Sequence, residues 1–265
     1  MDYASKDIYD FKYEISRYDH SLSTALLTWR YSKDKVQTIA ALFHDISTPC
    51  FSHVIDYMNK DYANQESTED KTEEILNSSK TLPTVLASDN LTIKDLVNYK
   101  NYPIVDNKRP KLCADRLDGI ILTGLAWTKD LDIKEIPSIL DNIKIYINES
   151  NKPELGFKNK EIALRVNEIN HNINIFCHSK EDNYMMNLLA DLTNYCIRNN
   201  HITYDELYTT TEKELYNIFS SIKDEDFKYL YKQFKNIKLD EIPLIELPHI
   251  KERVINPIVR GKRLN

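Results

Sequence analysis

Four residues far apart in the chain, His20, His44, Asp45 and Asp115, are of the types that bind metal together. Imidazole nitrogens and carboxylate oxygens suit divalent ions such as Mn, Fe, Ni, Zn and Mg. His44 and Asp45 are adjacent and end an apolar run (Val36, Ile39, Ala40, Leu42, Phe43) spaced as a helix, in which Ala40 and Ala41 allow close packing. Polar groups at the end of a buried helix need partners, because leaving them unsatisfied costs several kcal/mol. Two arrangements meet that need: a shared divalent ion, or mutual satisfaction as polar residues of the core.

The elements that must carry these residues can be read in order. His20–Tyr31 reads as a helix with Leu22, Ala25, Leu26 and Trp29 on its buried face and Asp19 as N-cap. Lys35–Asp45 carries the His–Asp pair, and a loop of Ser47, Thr48, Pro49 and Cys50 leads to His53 in a short element, Phe51–Asn59. Thr68–Asn77 reads as a helix, with Ser67 and Asp70 as a loose capping box, and Thr92–Lys100 as another. Pro110 suits the first turn of a long apolar helix, KLCADRLDGIILTGLAW. At about 100° per residue, Leu112 and Leu122 flank Asp115, which is therefore expected in apolar surroundings and in need of a cation. Gly119, one turn on, leaves room beside it at a helical cost of about 1 kcal/mol against alanine.

Further helices are expected over Ile136–Ile147, Lys160–Cys177, Glu181–Arg198, Tyr204–Thr209, Glu212–Ile222 and Glu225–Asn236, with capping boxes at Thr203/Glu206 and Thr211/Glu214. From Leu239 onward, Pro243, Pro248 and Pro257 among alternating apolar residues suggest an extended arm or small hairpin, with Lys251, Arg253, Arg260, Lys262 and Arg263 as a solvated basic tail. Only 4 glycines and 9 prolines interrupt this pattern, which favours an all-α fold. The expected organisation is a helical core over residues 1–130 and a helical extension over residues 131–265, packed as one globule.

The net charge of −6 argues against a nucleic-acid coat, so no nucleic-acid partner is expected. No apolar run reaches the roughly 20 residues of a membrane span, and the N-terminus lacks the basic-then-apolar order of a signal peptide, which leads to the expectation of a cytoplasmic protein with no membrane partner. Cys50, Cys113, Cys177 and Cys196 show no CxxC spacing and read as free thiols, Cys50 being the one placed for partial exposure. His171, His178, His201 and His249 show no ligand spacing that converges with the four site candidates.

Three segments, SRYDHSL (16–22), IAALFHDISTPCFSHVID (39–56) and LCADRLDGI (112–120), resemble the HD-domain metal-dependent phosphohydrolases, especially the branch of the deoxynucleoside triphosphate triphosphohydrolases. The resemblance covers roughly the first 125 residues; the C-terminal half is similar only in its length, its helices and the closing RVINPIVRGKRL. It implies an HD-type helical bundle in which His20, His44, Asp45 and Asp115 hold a divalent ion that activates water or polarises a phosphoryl oxygen. It also implies that Arg17 and Arg116 lie near substrate phosphate, and that His53 and Asp56 line or support the site. The plainer alternatives are surface ion pairs for the arginines and a His–Asp pair tying down a short helix.

The chain also departs from that family. Ser47 and Thr48 stand where relatives carry glycine and histidine, Thr68 and Glu69 where they carry histidine and glutamate, and Gly119 where they carry an aromatic residue. Threonine does not titrate near neutral pH, so a base would come from Glu69, Asp56 or ion-activated water. The expected function is hydrolysis of a nucleotide or other small phosphate ester. The alternatives are a catalytically reduced HD fold that binds a nucleotide or partner without turnover, and a purely structural helical protein. Self-association is left open.

Overall fold

The computed structural model describes residues 3–63, 65 and 71–265. In chain order the elements are α1 (Arg17–Ser32), α2 (Lys35–Phe43), α3 (Val54–Met58), α4 (Thr72–Ser78), α5 (Leu82–Ser88), α6 (Ile93–Val97), α7 (Ala114–Ala126), α8 (Ile136–Asn142), β1 (Ile143–Ile147), β2 (Pro153–Phe157), α9 (Lys160–Cys177), α10 (Lys180–Arg198), α11 (Glu212–Ser221), α12 (Glu225–Asn236), β3 (Ile258–Val259) and β4 (Lys262–Arg263). The expected helical class holds for most of the chain, and the strands correct the all-α expectation. Ser67, Thr68, Glu69 and Asp70, with the capping box proposed there, lie outside the described residues.

The elements fall into two compact units. The larger comprises Lys12–Ile46, Lys71–Ile175 and Arg253–Asn265; the smaller comprises Met1–Phe11, Ser47–Asp70 and Phe176–Glu252.

In the larger unit, α1 begins one turn earlier than expected. Ser16, not Asp19, is the N-cap, and Asp19 occupies the third helical position, where its carboxylate accepts from the Ser16 backbone N–H in a reciprocal capping box. Arg17 and His20 are thereby both helical. Lys33, at φ 55°, reverses the chain, and Asp34 caps α2. Ala25, Ala40 and Ala41 join Leu76, Leu86, Leu91, Leu96, Tyr99 and Val105 in one core, the small side chains allowing close approach of the helices. The expectation of a buried face through Leu22, Leu26 and Trp29 is not met: these three are exposed, and the inward face of α1 is Thr24, Ala25, Leu27 and Thr28.

α7 starts at Ala114, with Cys113 as N-cap, rather than at Pro110. The backbone just before it is committed elsewhere: Leu112 N–H donates to Glu154 Oε1 (3.3 Å), and the Pro110 carbonyl accepts from Asn256 N–H (2.8 Å). The helix expected over Ile136–Ile147 ends at Asn142. Beyond it, alternating Ile143, Ile145 and Ile147 form a strand, as β-branched residues favour.

β1 pairs antiparallel with β2 (Ile143 opposite Phe157), β2 runs parallel to β3, and β3–β4 close a hairpin. Positive φ at Arg260 (50°) and Gly261 (88°) makes this the two-residue turn whose twist suits paired strands. A Cβ on Gly156 would stand 2.5 Å from the Ile258 carbonyl oxygen, so this strand approach requires glycine. Of the arm expected from Leu239 onward, the hairpin covers only Ile258–Arg263, and residues 243–257 carry no regular structure. The solvated-tail expectation fails for Arg263, which donates to fully buried Glu154 (2.5 and 2.8 Å) and to Glu149 (2.7 Å).

The smaller unit has an aromatic core in which Phe51, Tyr216, Phe219, Phe227, Tyr231 and Phe234 pack with aliphatic residues of α10. Some ring pairs there sit edge to face, as at Tyr216–Phe219 and Phe219–Phe227, and others stack, as at Tyr216–Tyr231. The segment Tyr204–Thr209, expected to be helical, is a single tight turn over Asp205–Tyr208, fixed by Thr203 and Glu206.

Candidate metal centre

His20, His44, Asp45 and Asp115 come together within the larger unit. His20 projects from the first turn and a half of α1, His44 is the C-cap of α2 with Asp45 next to it, and Asp115 is in the first turn of α7, where the helix dipole favours a carboxylate. His20 Nε2 lies 3.1 Å from Asp115 Oδ1 and 3.6 Å from Asp45 Oδ2. His44 Nε2 lies 3.5 Å from Asp115 Oδ1 and 3.7 Å from Asp45 Oδ1. The two rings stand 5.2 Å apart.

Each imidazole is held from behind. His44 Nδ1 is 2.7 Å from the Ala41 carbonyl, to which it donates, and His20 Nδ1 is 2.7 Å from Asp118 Oδ2. Both Nε2 atoms therefore face the carboxylates. His44 Nε2 is buried and makes no hydrogen bond among the described residues, an arrangement costly for an isolated imidazole and suited to a metal ligand. Three carboxyl groups, Asp45, Asp115 and Asp118, gather against one guanidinium, Arg17, whose Nη1 is 2.7 Å from Asp45 Oδ2. A divalent cation between neutral imidazoles balances that count.

Without an ion the imidazoles themselves offset the carboxylates. Burial pulls the His20 imidazole down, but hydrogen bonds to Asp115 and Asp118 and the nearby negative charge outweigh it and carry its pKa to about 10. Burial likewise opposes, and Asp45 and Asp115 override it to raise, the pKa of His44. Asp45 and Asp115 are pushed up by burial and held below the usual range by their cations: His44 and Arg17 for Asp45, His20 and His44 for Asp115. Asp115 is not in the apolar setting expected of it. A third of its side-chain surface is exposed, and it faces imidazoles. A Cβ on Gly119 would meet nothing within 4 Å, so the space expected beside Asp115 is open.

The remaining site candidates are placed differently. Arg17 is 40% exposed at the edge of the cluster. Arg116 is nearly buried, and its guanidinium donates to the Asn107 carbonyl (2.6 Å) and the Lys111 carbonyl, closing the loop before α7. His53 and Asp56 lie in the smaller unit, paired with each other at 2.9 Å across the start of α3. Ser47 and Thr48 also belong to that unit, Ser47 buried and Thr48 half-buried. Glu69 lies outside the described residues.

A second group, Asp106, Cys113 and Asp115, also clusters. Arg116 stands 3.8 Å from Asp106, and burial pushes the Cys113 thiol up to about 12, so this group reads as an arginine-held loop. Burial pushes the Cys50 thiol up to about 12 as well, against an activated nucleophile there. The residue the sequence reasoning missed is Asp118. Its signal was its spacing: three residues after Asp115, it shares that helix face.

No family model matches the chain. Among curated proteins it is similar to the uncharacterised protein YdhJ of Bacillus subtilis, at 23% identity over 216 residues, which are 81% of this chain and 64% of the relative. It is also similar to the metal-dependent phosphohydrolase cns2 of Cordyceps militaris, at 26% identity over 132 residues, half of this chain and 37% of the relative. A distant relative thus bears the name of the superfamily that the three motifs resemble. Neither name points to the triphosphohydrolase branch. The convergent ligand set and the metal-dependence in that name both suggest a divalent ion. No helix among the described residues is long and apolar enough to cross a membrane.

Proposed function

We propose that this protein is a metal-dependent phosphohydrolase that acts on a nucleotide or other small phosphate ester. The observation that carries the reading is the buried His44 Nε2, without a hydrogen bond among the described residues and aimed at Asp45 and Asp115 beside His20 Nε2. In this reading His20, His44, Asp45 and Asp115 hold one divalent ion, which when bound supplies Lewis acidity toward a phosphoryl oxygen and lowers the pKa of water. Arg17 at the edge takes phosphate oxygens, its planar fork suiting that contact, while Arg116 keeps the loop before α7 in place so that Asp115 is correctly presented. The open space over Gly119 gives a substrate room along the same helix face.

The test is metal analysis of the purified protein, followed by a screen for phosphate release from nucleotides and generic esters with added Mn, Ni, Mg or Co. The expected result is metal-dependent release that an Asp45→Ala variant lacks. Metal bound without release from any substrate, together with thermal stabilisation by a nucleotide that stays intact, would replace hydrolysis by a binding role. Absence of metal binding would remove both.

A further inference from the structure

We infer that Asp118 is a positioning residue that sets the tautomer and ring orientation of His20 for metal binding. The inference rests on the metal-centre reading above and adds to it a residue outside the ligand set. Asp118 is buried, 3% exposed, and its Oδ2 lies 2.7 Å from His20 Nδ1. A ring that presents Nε2 to an ion must carry its remaining proton on Nδ1, and a hydrogen bond from Nδ1–H to a fixed acceptor enforces both the tautomer and the ring plane.

The two histidines solve this problem differently. His44 donates to the Ala41 carbonyl three residues back on its own helix, so the main chain that places His44 also orients it. His20 depends on a side chain from another helix. Asp115 and Asp118 are one turn apart on α7, so the helix that brings the carboxylate opposite His20 Nε2 also brings the acceptor behind Nδ1. A carboxylate is a stronger acceptor than a carbonyl and raises the donor strength of the imidazole toward a cation.

The experiment titrates the metal-free full chain with Co(II) alone, for wild type, Asp118→Ala, Asp118→Asn and His44→Ala, with an unfolding transition recorded for each. Nitrogen-15 spectra of the Zn-loaded wild type report which ring nitrogen of His20 carries the proton. The expected result is a Kd raised about 10- to 100-fold in Asp118→Ala. Asp118→Asn, whose side-chain oxygen still accepts from Nδ1–H, should recover most of the loss, and His20 should be protonated at Nδ1.

Wild-type affinity in a folded Asp118→Ala protein, with binding lost in His44→Ala, would overturn the positioning role and leave the metal centre standing. No binding by wild type would overturn the metal centre and the inference with it. Should Asp118→Ala not fold, the spectra still decide, since a His20 that meets Zn through Nδ1 is incompatible with the inference.

Discussion

The chain pairs histidine with aspartate in two regions, and the pairings differ in kind. At the start of α3, His53 and Asp56 are three residues apart and close on each other at 2.9 Å, with Asp56 fully buried and His53 40% exposed. One helical turn brings them together. In the larger unit His44 and Asp45 are adjacent, yet Nε2 and Oδ1 are 3.7 Å apart and His44 Nε2 makes no hydrogen bond among the described residues. Both are turned toward groups delivered by α1 and α7. A pair satisfied locally steadies a turn, whereas a set that converges from three segments holds a concentration of charge that only tertiary packing can maintain, and that a cation can use.

The largest expected effect separates the two regions directly. His44→Ala and Asp45→Ala should each lose bound metal at stoichiometric concentration, measured by elemental analysis after gel filtration, and with it all metal-dependent phosphate release. His53→Ala should keep its metal. A His53→Ala protein that purified without metal would break the comparison.

The next effect is a pH dependence of the metal-free chain. His20 is raised from 6.5 to about 10 on folding, so its contribution to stability is fully present below about 6.5 and is lost as pH climbs through about 10. Asp115, held well below 3.8, has the opposite sign: its contribution is present above that value and fades as the solution is acidified through the folded pKa. The urea midpoint of wild type minus that of His20→Gln, followed from pH 6 to beyond pH 10, should shrink as pH rises. A flat difference would show that the carboxylates do not hold the imidazolium.

A smaller effect concerns the local pair. His53→Ala removes a hydrogen-bond partner of a buried carboxylate and should cost about 1–3 kcal/mol of stability, read from denaturant unfolding, with metal affinity unchanged. Smallest of all, Gly119→Ala places a methyl group in open space within a helix and should stabilise by about 0.5–1 kcal/mol without changing metal content. A loss of metal affinity there would show that the space beside Asp115 is narrower than the geometry indicates.

Much of the site was legible because its chemistry is written in residue type. His44–Asp45 at the end of an apolar helix and Asp115 in a second one mark themselves, and all four ligand candidates meet. The helices Lys160–Cys177, Glu212–Ser221 and Glu225–Asn236 were legible from apolar spacing and capping residues. Asp118 was legible only as a residue on the same helix face as Asp115; spacing does not tell whether such an aspartate meets solvent or the back of an imidazole. β1 was missed because Ile143–Ile147 continues the apolar pattern of α8, and only pairing with β2 selects the extended form. The exposed Leu22, Leu26 and Trp29 invert the usual rule, since a helix with two apolar sides does not announce which one the core will take.

By itself, then, the sequence determined the kinds of candidate ligand and most of the local elements that carry them, because residue chemistry, capping and helical period are properties of a few neighbouring residues. Tertiary structure alone decided that Arg116 closes a loop, that Arg263 joins Glu154 and that Asp118 stands behind His20. Each of those depends on which distant segment arrives opposite, and burial makes the arrival consequential, because a charged group removed from water must take whatever partner the fold provides.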